Sequence, residues 1–482
     1  MARSLARNTK LFVTTLTRPN ITTDNMLLTN TWEVKVLDGY SFSQDTASQE
    51  IGVSEAASEA ACAAGGLARG TQSFNTALNP VDVSFSTYVR PYQNGSSNGD
   101  CVEKILWASA MGTADGLTAS PDTPANLATY NQDTNSITFS LATSNANELL
   151  PLTLCFVLEN ATYVVEQFNV GTAEVDFSID GIATINWSGN GSRVNEDQRI
   201  HSILKTGGTA VSGTDYTAVP ATTTTTFLRN KLSTLELSDA APVSTLESFV
   251  DGQIFTTYVV ATGVMTYSDL GSISAEVEAG LPGGRAHNET LDQWATIVAV
   301  TKGSDTITIA DADRQLVDNW TASSDAVSLY TKTQFSGTVY CVPITGGTLT
   351  LENNLTYLTP EELAIVNLPL AGFAGNRVTS GSFTAYLNTG AQGTGGLLQD
   401  LLNKIETSVT TNFALTFHMG NATTAVPRVD FVIPHAQVSI PTTNVEDIIS
   451  TEISFTAKPW DAANSTASFE DTNEMTISYV SA

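Results

Sequence analysis

The chain has 482 residues, with 21 basic and 49 acidic side chains and a net charge of −28. Only 15% of residues are charged, below the roughly 25% usual in globular domains, while 41% are hydrophobic and mean hydropathy is +0.01, so the chain can bury cores. No apolar run reaches the ~18 residues of a membrane helix, Leu11–Leu16 is too short and Thr-rich for a secretory leader, and a strongly anionic surface disfavours sequence-specific nucleic-acid binding.

Alternation at period two dominates the chain in order. Trp32 to Val36 and Val81 to Val89 read as strands, with Ser48–Thr71 between them as an extended functional loop. Val102, Ile105, Leu106 and Ser109 fall at helical spacing with Glu103 and Lys104 turned outward, and Gly112–Leu150 reads as a long surface loop. Strands follow at Ala173 to Ile179, Ala183 to Trp187 and Leu232 to Leu237. Phe255–Val260, Thr296–Val300, Thr306–Ile309 and Ala326–Tyr330 form another group. Leu351–Arg377 holds apolar residues that imply partners if exposed. A second helix places Leu398, Leu401, Leu402 and Ile405 on one face and Gln399, Asp400, Asn403 and Lys404 on the other, before strands at Val438–Ile440 and Ile453–Ala457.

Internal matches keep this order. Arg7 to Leu11 is echoed by Arg229 to Leu232, and Ser84-Phe85-Ser86-Thr87-Tyr88-Val89 by Ser382-Phe383-Thr384-Ala385-Tyr386-Leu387, at an offset of 298. The helices align at 296, and Ala173-Glu174-Val175 matches Ala436-Gln437-Val438 at 263. The pattern predicts a mainly β chain with a duplicated β-sandwich or β-barrel domain, each copy with one short helix. The expected boundaries are 1–200 for the first copy, and 201–239 with 339–482 for the second. Residues 240–338, with twelve acidic and four basic residues, form an inserted β-rich domain. Residues 1–92 carry a balance of only −1, which suits a chain that contacts itself through one end.

Chemistry-bearing patterns are weak. His201, His287, His418 and His435 are scattered, so no metal site is expected. Cys62, Cys101, Cys155 and Cys341 lack paired spacing and read as buried small residues of a reducing compartment. Gly95-Ser96-Ser97-Asn98-Gly99 fits the nucleophile-elbow spelling without the parallel sheet that such an elbow needs. Asp311 and Asp313 alternate at a strand end without a third cation ligand, and Glu361 with Glu362 suits a first helical turn. Neither an enzymatic activity nor a cofactor is expected.

The repeat residues also carry a resemblance. Arg7-Asn8-Thr9-Lys10-Leu11-Phe12-Val13, Ser41-Phe42-Ser43-Gln44-Asp45, Arg69-Gly70 with Phe74-Asn75, and Ser84 to Tyr88 resemble, in order, the tail tube proteins of long-tailed phages of the T-five group. So do Trp187-Ser188-Gly189-Asn190-Gly191, Pro343 to Thr348, Asn354 to Pro360 and Ser382 to Asn388, covering roughly 1–239 and 339–460. The resemblance implies a fused pair of tube domains, three chains to a ring, and stacked rings whose inner wall is a continuous β-barrel through which the genome leaves.

It further implies contacts between subunits or rings in Ser48–Thr71 and Leu351–Arg377, here Ser48, Glu50, Glu55, Arg69, Phe74, Leu363, Ile365, Phe373 and Arg377. The implied partners are other copies of the chain, tail tip or initiator and terminator proteins, and double-stranded DNA passing without specific binding. The implied location is the virion, after assembly in the host cytoplasm. The insertion departs from the pattern and is expected to be an outer decoration, and the chain ends at Ala482 without the immunoglobulin-like domain of some relatives. The alternatives are another virion or decoration β protein, or a glycan-binding or hydrolytic protein that would depend on Ser97 or on Asp311 and Asp313.

Overall fold

The computed structural model describes residues 9–27, 30–51, 72–94, 98–111, 128–131, 136–140, 149–179, 181–204, 227–238, 250–267, 281–282, 284–288, 293–310, 313–330, 339–358, 369–388, 393–407, 413–420, 426–439, 442–444, 449–461, 466–467 and 474–481, with isolated positions at 270, 273, 278 and 291.

The first half opens with β1 (Lys10–Thr14), β2 (Thr31–Val34), β3 (Ser41–Ile51) and β4 (Gln72–Tyr88). A hairpin of β5 (Pro91–Asn94) and β6 (Asn98–Cys101) leads into helix α1 (Lys104–Met111). β7 (Ala128–Asn131), β8 (Ser136–Ser140), β9 (Leu152–Val157), β10 (Thr162–Ser178), β11 (Thr184–Gly191), β12 (Arg193–Glu196) and α2 (Gln198–Leu204) complete it. The expected surface loop at 112–150 therefore contains two strands, β7 and β8. Likewise β3 carries Ser48 to Ile51 into the expected loop, whose residues 52–71 lie outside the described ones.

The second half begins at β13 (Thr234–Ser238). It is interrupted by β14 (Val250–Val259), β15 (Val264–Tyr267), β16 (Arg285–Asn288), β17 (Gln293–Thr301), β18 (Thr306–Ile309), the short α3 (Arg314–Val317) and β19 (Ala326–Tyr330). It resumes with β20 (Val339–Cys341), β21 (Ile344–Glu352), the hairpin β22 (Thr356–Leu358) and β23 (Ala371–Phe373), β24 (Val378–Tyr386) and α4 (Thr394–Thr407). β25 (Phe413–Met419), β26 (Arg428–Val438), β27 (Thr442–Asn444), β28 (Ser450–Ala457), the hairpin β29 (Trp460–Asp461) and β30 (Thr466–Ala467), and β31 (Thr476–Val480) follow.

One long antiparallel sheet runs β3–β4–β11–β10–β21–β24–β28–β26, with β27 prolonging the last strand along β28. Two smaller layers cover it: β2–β1–β9–β10–β12 in the first half, and β20–β13–β25–β26–β31 in the second. β10 and β26 belong to both layers. β10 makes the passage through irregularities between Val165 and Phe168, where Gln167 adopts φ 51°, and between Val170 and Thr172. β8 and β7 add to β31, so strands from the first half extend the outer layer of the second.

Alternation decides which face each strand buries. Val83, Phe85, Ile185, Trp187, Val175, Leu349, Leu351, Phe383, Ile453 and Phe455 point into one core that runs through both halves. β1 is buried on both faces: Leu11 and Val13 enter that core, while Phe12 joins Ile21, Met26, Ile200 and Leu204 beneath α2. The β14–β19 group closes into its own small barrel, in the order β14–β15–β18–β17–β16–β19, around Phe255, Met265, Ile297, Ile307, Val327 and Leu329.

The two halves repeat one pairing scheme. β3–β4–β11–β10 and β21–β24–β28–β26 have the same order, and α1 and α4 occupy the same place between the second and the next outer strand. With Phe85 matched to Phe383, cross-strand partners carry the match to Trp187 with Ile453, and to Val170 with Val438. The short match of Ala173–Val175 to Ala436–Val438, at an offset of 263, is thus out of register, since pairing sets Val170 with Val438 and Val175 with Thr443, both at 268.

Candidate functional site: the open face and ends of the long sheet

The side chains that alternate with the core residues form the other face of the long sheet. They are Asp82, Ser84 and Ser86 on β4, Asn186, Ser188 and Asn190 on β11, and Glu174 and Asp176 on β10. Across the junction they continue as Thr348, Thr350 and Glu352, then Ser380, Ser382 and Thr384, then Glu452, Ser454 and Thr456. This face is made of hydroxyls, amides and carboxylates, and none of these positions is a lysine or arginine. Cross-strand hydrogen bonds knit it: Ser41 Oγ with Ser84 Oγ at 2.8 Å, Ser86 Oγ to Asn186 Oδ1 at 2.7 Å, and Asn190 Nδ2 to Asp82 Oδ1 at 2.6 Å.

A depression of about 560 Å³ lies in this face beneath Asn354 to Thr356, with Asp82 and Glu352 in its lining. Gly189 lines it too, and a Cβ there would come within 2.1 Å of the Asn169 carbonyl oxygen, so the irregular crossing of β10 and β11 requires glycine.

The ends of the sheet differ from its middle. At the junction of the halves, β10 pairs with β21 from Thr172↔Glu352 to Ser178↔Gly346. β3 is the first-half counterpart of β21, yet among the described residues it pairs only with β4. β27, the counterpart of the end of β10, pairs among the described residues only with β28. The sheet thus finishes in two edges that correspond to the two sides of its own internal junction. Unpaired edges of this kind template the addition of further strands.

The expected contact residues divide. Ser48 and Glu50 are exposed on β3, and Phe74 is half-exposed on β4. On and beside the β22–β23 hairpin, Leu358, Leu370 and Phe373 are all more than half exposed, so apolar side chains stand clear of the core there. The hairpin is tied down by the Tyr357 hydroxyl, which donates to the Gln167 and Asn190 carbonyls. Arg377 is engaged within the chain: its guanidinium donates to both carboxylate oxygens of Glu474, at 3.0 and 2.9 Å. Glu55, Arg69, Leu363 and Ile365 lie outside the described residues, as do Glu361 and Glu362.

Other sequence expectations also find their places. Gly95 to Ser97 lie outside the described residues, and Asn98 and Gly99 belong to β6. Asp313 opens the turn into α3 and accepts from the Thr296 amide at 2.7 Å instead of alternating along a strand, and Asp311 is not described. His418 Nδ1 meets Asp430 Oδ1 at 2.7 Å, His201 Nδ1 meets Thr162 Oγ1 at 3.0 Å, and burial pushes His435 down to about 4. Among the described residues no cluster of His, Cys, Asp and Glu could hold a metal ion. Cys101 and Cys155 are buried free thiols, the latter pushed up to about 12 by burial.

Two helix features depart from the sequence reading. Glu103 is fully buried at the start of α1, where its carbonyl accepts from the Leu106 and Trp107 amides, and burial pushes its carboxyl up to about 8. Among the described side chains of α4, Thr394, Leu397 and Leu401 are buried, whereas Leu402 is 41% exposed and Asp400 accepts from the Tyr340 hydroxyl at 2.5 Å. Alternation and helical spacing missed α2 altogether. Its signal was Asp197, an N-cap whose Oδ1 accepts from the Arg199 and Ile200 amides. Burial would raise that carboxyl, but the Ile200 amide and the Arg18 guanidinium outweigh it and hold it below the usual range.

No protein-family model matches the chain. Over 463 residues, which are 96% of this chain, it is 24% identical to the tail tube protein pb6 of Escherichia phage T5, covering 74% of that protein. This chain resembles a phage tail tube protein. The tail-tube likeness extends over nearly the whole chain, so it takes in both halves of the repeat. It accords with a site built from sheet edges and a polar face.

Proposed function

We propose that this protein is a structural subunit of a non-contractile phage tail tube: three chains close a ring, and rings stack into a hollow conduit for genome ejection. The observation that carries this reading is the correspondence between the free ends of the long sheet and its own internal junction. Copying the β10–β21 register through the repeat sets Thr443 of one chain opposite Phe42 of the next, as Val175 stands opposite Leu349. Each half would then be one sixth of a closed wall. The first tube domain would span 1–200, the second 201–239 with 339–482, and the 240–338 insertion would decorate the outside.

The open face would line the conduit. Its acids Asp82, Glu174, Asp176, Glu352 and Glu452 repel phosphates, and without cations there is no counterion release to reward DNA contact. Double-stranded DNA would pass without sticking. The exposed apolar hairpin β22–β23 supports contacts between stacked rings, and tip, initiator and terminator proteins would meet the ends of the stack. Assembly would take place in the host cytoplasm, before the tube joins the virion.

Purified chain imaged by negative stain, with light scattering for mass, tests the reading. Hollow tubes built from three-chain rings are expected, and a Phe42→Cys, Thr443→Cys double variant should form disulfides between chains. Stable trimers that never stack, even with tail-tip extract, would favour a decoration protein instead.

A further inference from the structure

The internal junction shows how the seam between two halves is sealed, and the chain contains that seam only once. α1 is buried along its length within it. Trp107 lies edge-on to Trp187 of its own half at 4.8 Å between centroids, and edge-on to Phe431 of the other half at 6.4 Å. Its indole nitrogen donates to the Tyr479 hydroxyl of β31 at 2.7 Å. The amide of Asn353, at the end of β21, donates to the Ala110 carbonyl at 2.8 Å. So the second half covers the helix of the first.

α4 is the counterpart of α1, and among the described residues no further half covers it. Leu398 is partly exposed, and Leu402, Gln399 and Asn403 are exposed. The surface that would cover it is equally unfinished. Pairing with Leu11–Phe156 in one half and Leu235–Phe417 in the other makes Tyr163 the counterpart of Phe431. Phe431 is fully buried, but Tyr163 is only partly so, and it forms an aromatic cluster with Phe42 and Phe156, at 5.3 Å from Phe42 and with Phe42 at 5.0 Å from Phe156. Tyr40 also stacks on Phe156, at 5.5 Å. This cluster lies at β3, the edge that has no second partner strand among the described residues.

We propose that α4 seals the seam between chains: its Leu402 face packs on the Tyr40, Phe42 and Tyr163 cluster of a second copy, as α1 packs on Phe431 and Tyr479 within one chain. This rests on the ring reading above, and it assigns to α4 a role that edge pairing alone does not require. The occupant is a second copy because the same pair of surfaces already meets once inside the chain. Burying an exposed leucine among aromatic rings removes apolar area from water on both sides.

The test compares wild type, Leu402→Glu and a Leu402→Cys, Tyr163→Cys double variant of the full chain. Leu402 is outside the core, so Leu402→Glu should keep the wild-type circular dichroism and melting temperature of the monomer. Its assembly into rings should fall at least tenfold by light scattering, and the double-cysteine variant should give disulfide-linked chains in rings. Wild-type rings with Leu402→Glu rings at equal yield, and no disulfide between chains in the Leu402→Cys, Tyr163→Cys variant, would overturn the role of α4 and leave the tube reading standing. Failure of the wild type to form rings, together with no Phe42→Cys, Thr443→Cys linkage, would remove the tube reading and this inference with it.

Discussion

The two helices of the repeat teach more together than either does alone. α1 and α4 arise at the same point of the same strand order, yet one is buried from end to end and the other keeps an exposed face. Helix propensity does not explain this, because α4 is the longer and more amphipathic of the two, at 14 residues against 8. The difference lies in what stands beyond each helix: a second half in one case, solvent in the other. Burial at a repeated position therefore reports a partner, and exposure at its counterpart reports where a partner is missing.

The largest effect should come from breaking the finished seam. Trp107→Ala removes two aromatic contacts and leaves the buried Tyr479 hydroxyl without its donor. A loss of about 3–5 kcal/mol in urea unfolding of the monomer is expected. Leu402→Ala, on the unfinished seam, should cost under about 1 kcal/mol in the same experiment. Equal losses would mean that α4 packs against its own chain as fully as α1 does, and the comparison would collapse.

A second contrast concerns charge at one matched position of the two helices. Glu103 is buried with one carboxylate oxygen unpartnered, whereas Gln399, at the matching position of α4, is exposed and donates to Asn403. Burial raises the Glu103 carboxyl from 4.5 to about 8. Between those values the folded chain holds a proton that the unfolded chain releases, so stability falls as pH rises through the window and levels off above it. Glu103→Gln, which copies the second half, should flatten that slope and raise stability at pH 8.5 by a few kcal/mol, with about 5 kcal/mol the upper bound at about 1.4 kcal/mol for each tenfold difference in proton affinity. Urea midpoints from pH 4 to 9 check this; parallel curves for the two proteins would mean that Glu103 titrates normally.

The sequence carried the fold where alternation and burial agree. Val81 to Tyr88, Thr184 to Trp187 and Ser450 to Ala457 alternate strictly because one face meets the core and the other meets water. It failed where the decisive partner is far away in the chain. β8 is a five-residue strand in a Thr-, Ser- and Asn-rich stretch, and its partner β31 lies 340 residues on, so nothing local distinguishes it from a loop. Glu103 looked solvent-facing because helical spacing does not show what covers the turn, and Tyr479, close enough to feel its charge, comes from the other half. The polar face alternates within each strand, but its continuity from one half to the next rests on β10 pairing with β21, two strands far apart in the chain that no local pattern brings together.

The smallest effect on stability, and the sharpest on function, should come from the open face. Both halves contribute to it, but Glu174 and Asp176 sit at the internal junction opposite Thr350 and Thr348, where one half hands over to the next. Each is at least partly solvated, so Glu174→Lys with Asp176→Lys should shift monomer stability by under about 1 kcal/mol. The same change puts two cations on a face that otherwise has none at its alternating positions. Each cation that meets a phosphate releases counterions and lowers the logarithm of affinity by about 0.9 per decade of salt. Wild-type chain should show no retention of double-stranded DNA at about 50 mM salt, whereas the double-lysine variant should retain it there and release it by about 200 mM. If wild type already binds DNA with a steep salt dependence, cations elsewhere contact it and the face does not govern passage. If neither protein binds, two lysines are too few to reverse the field of the surrounding carboxylates, and Asp82 and Glu352 become the next positions to change.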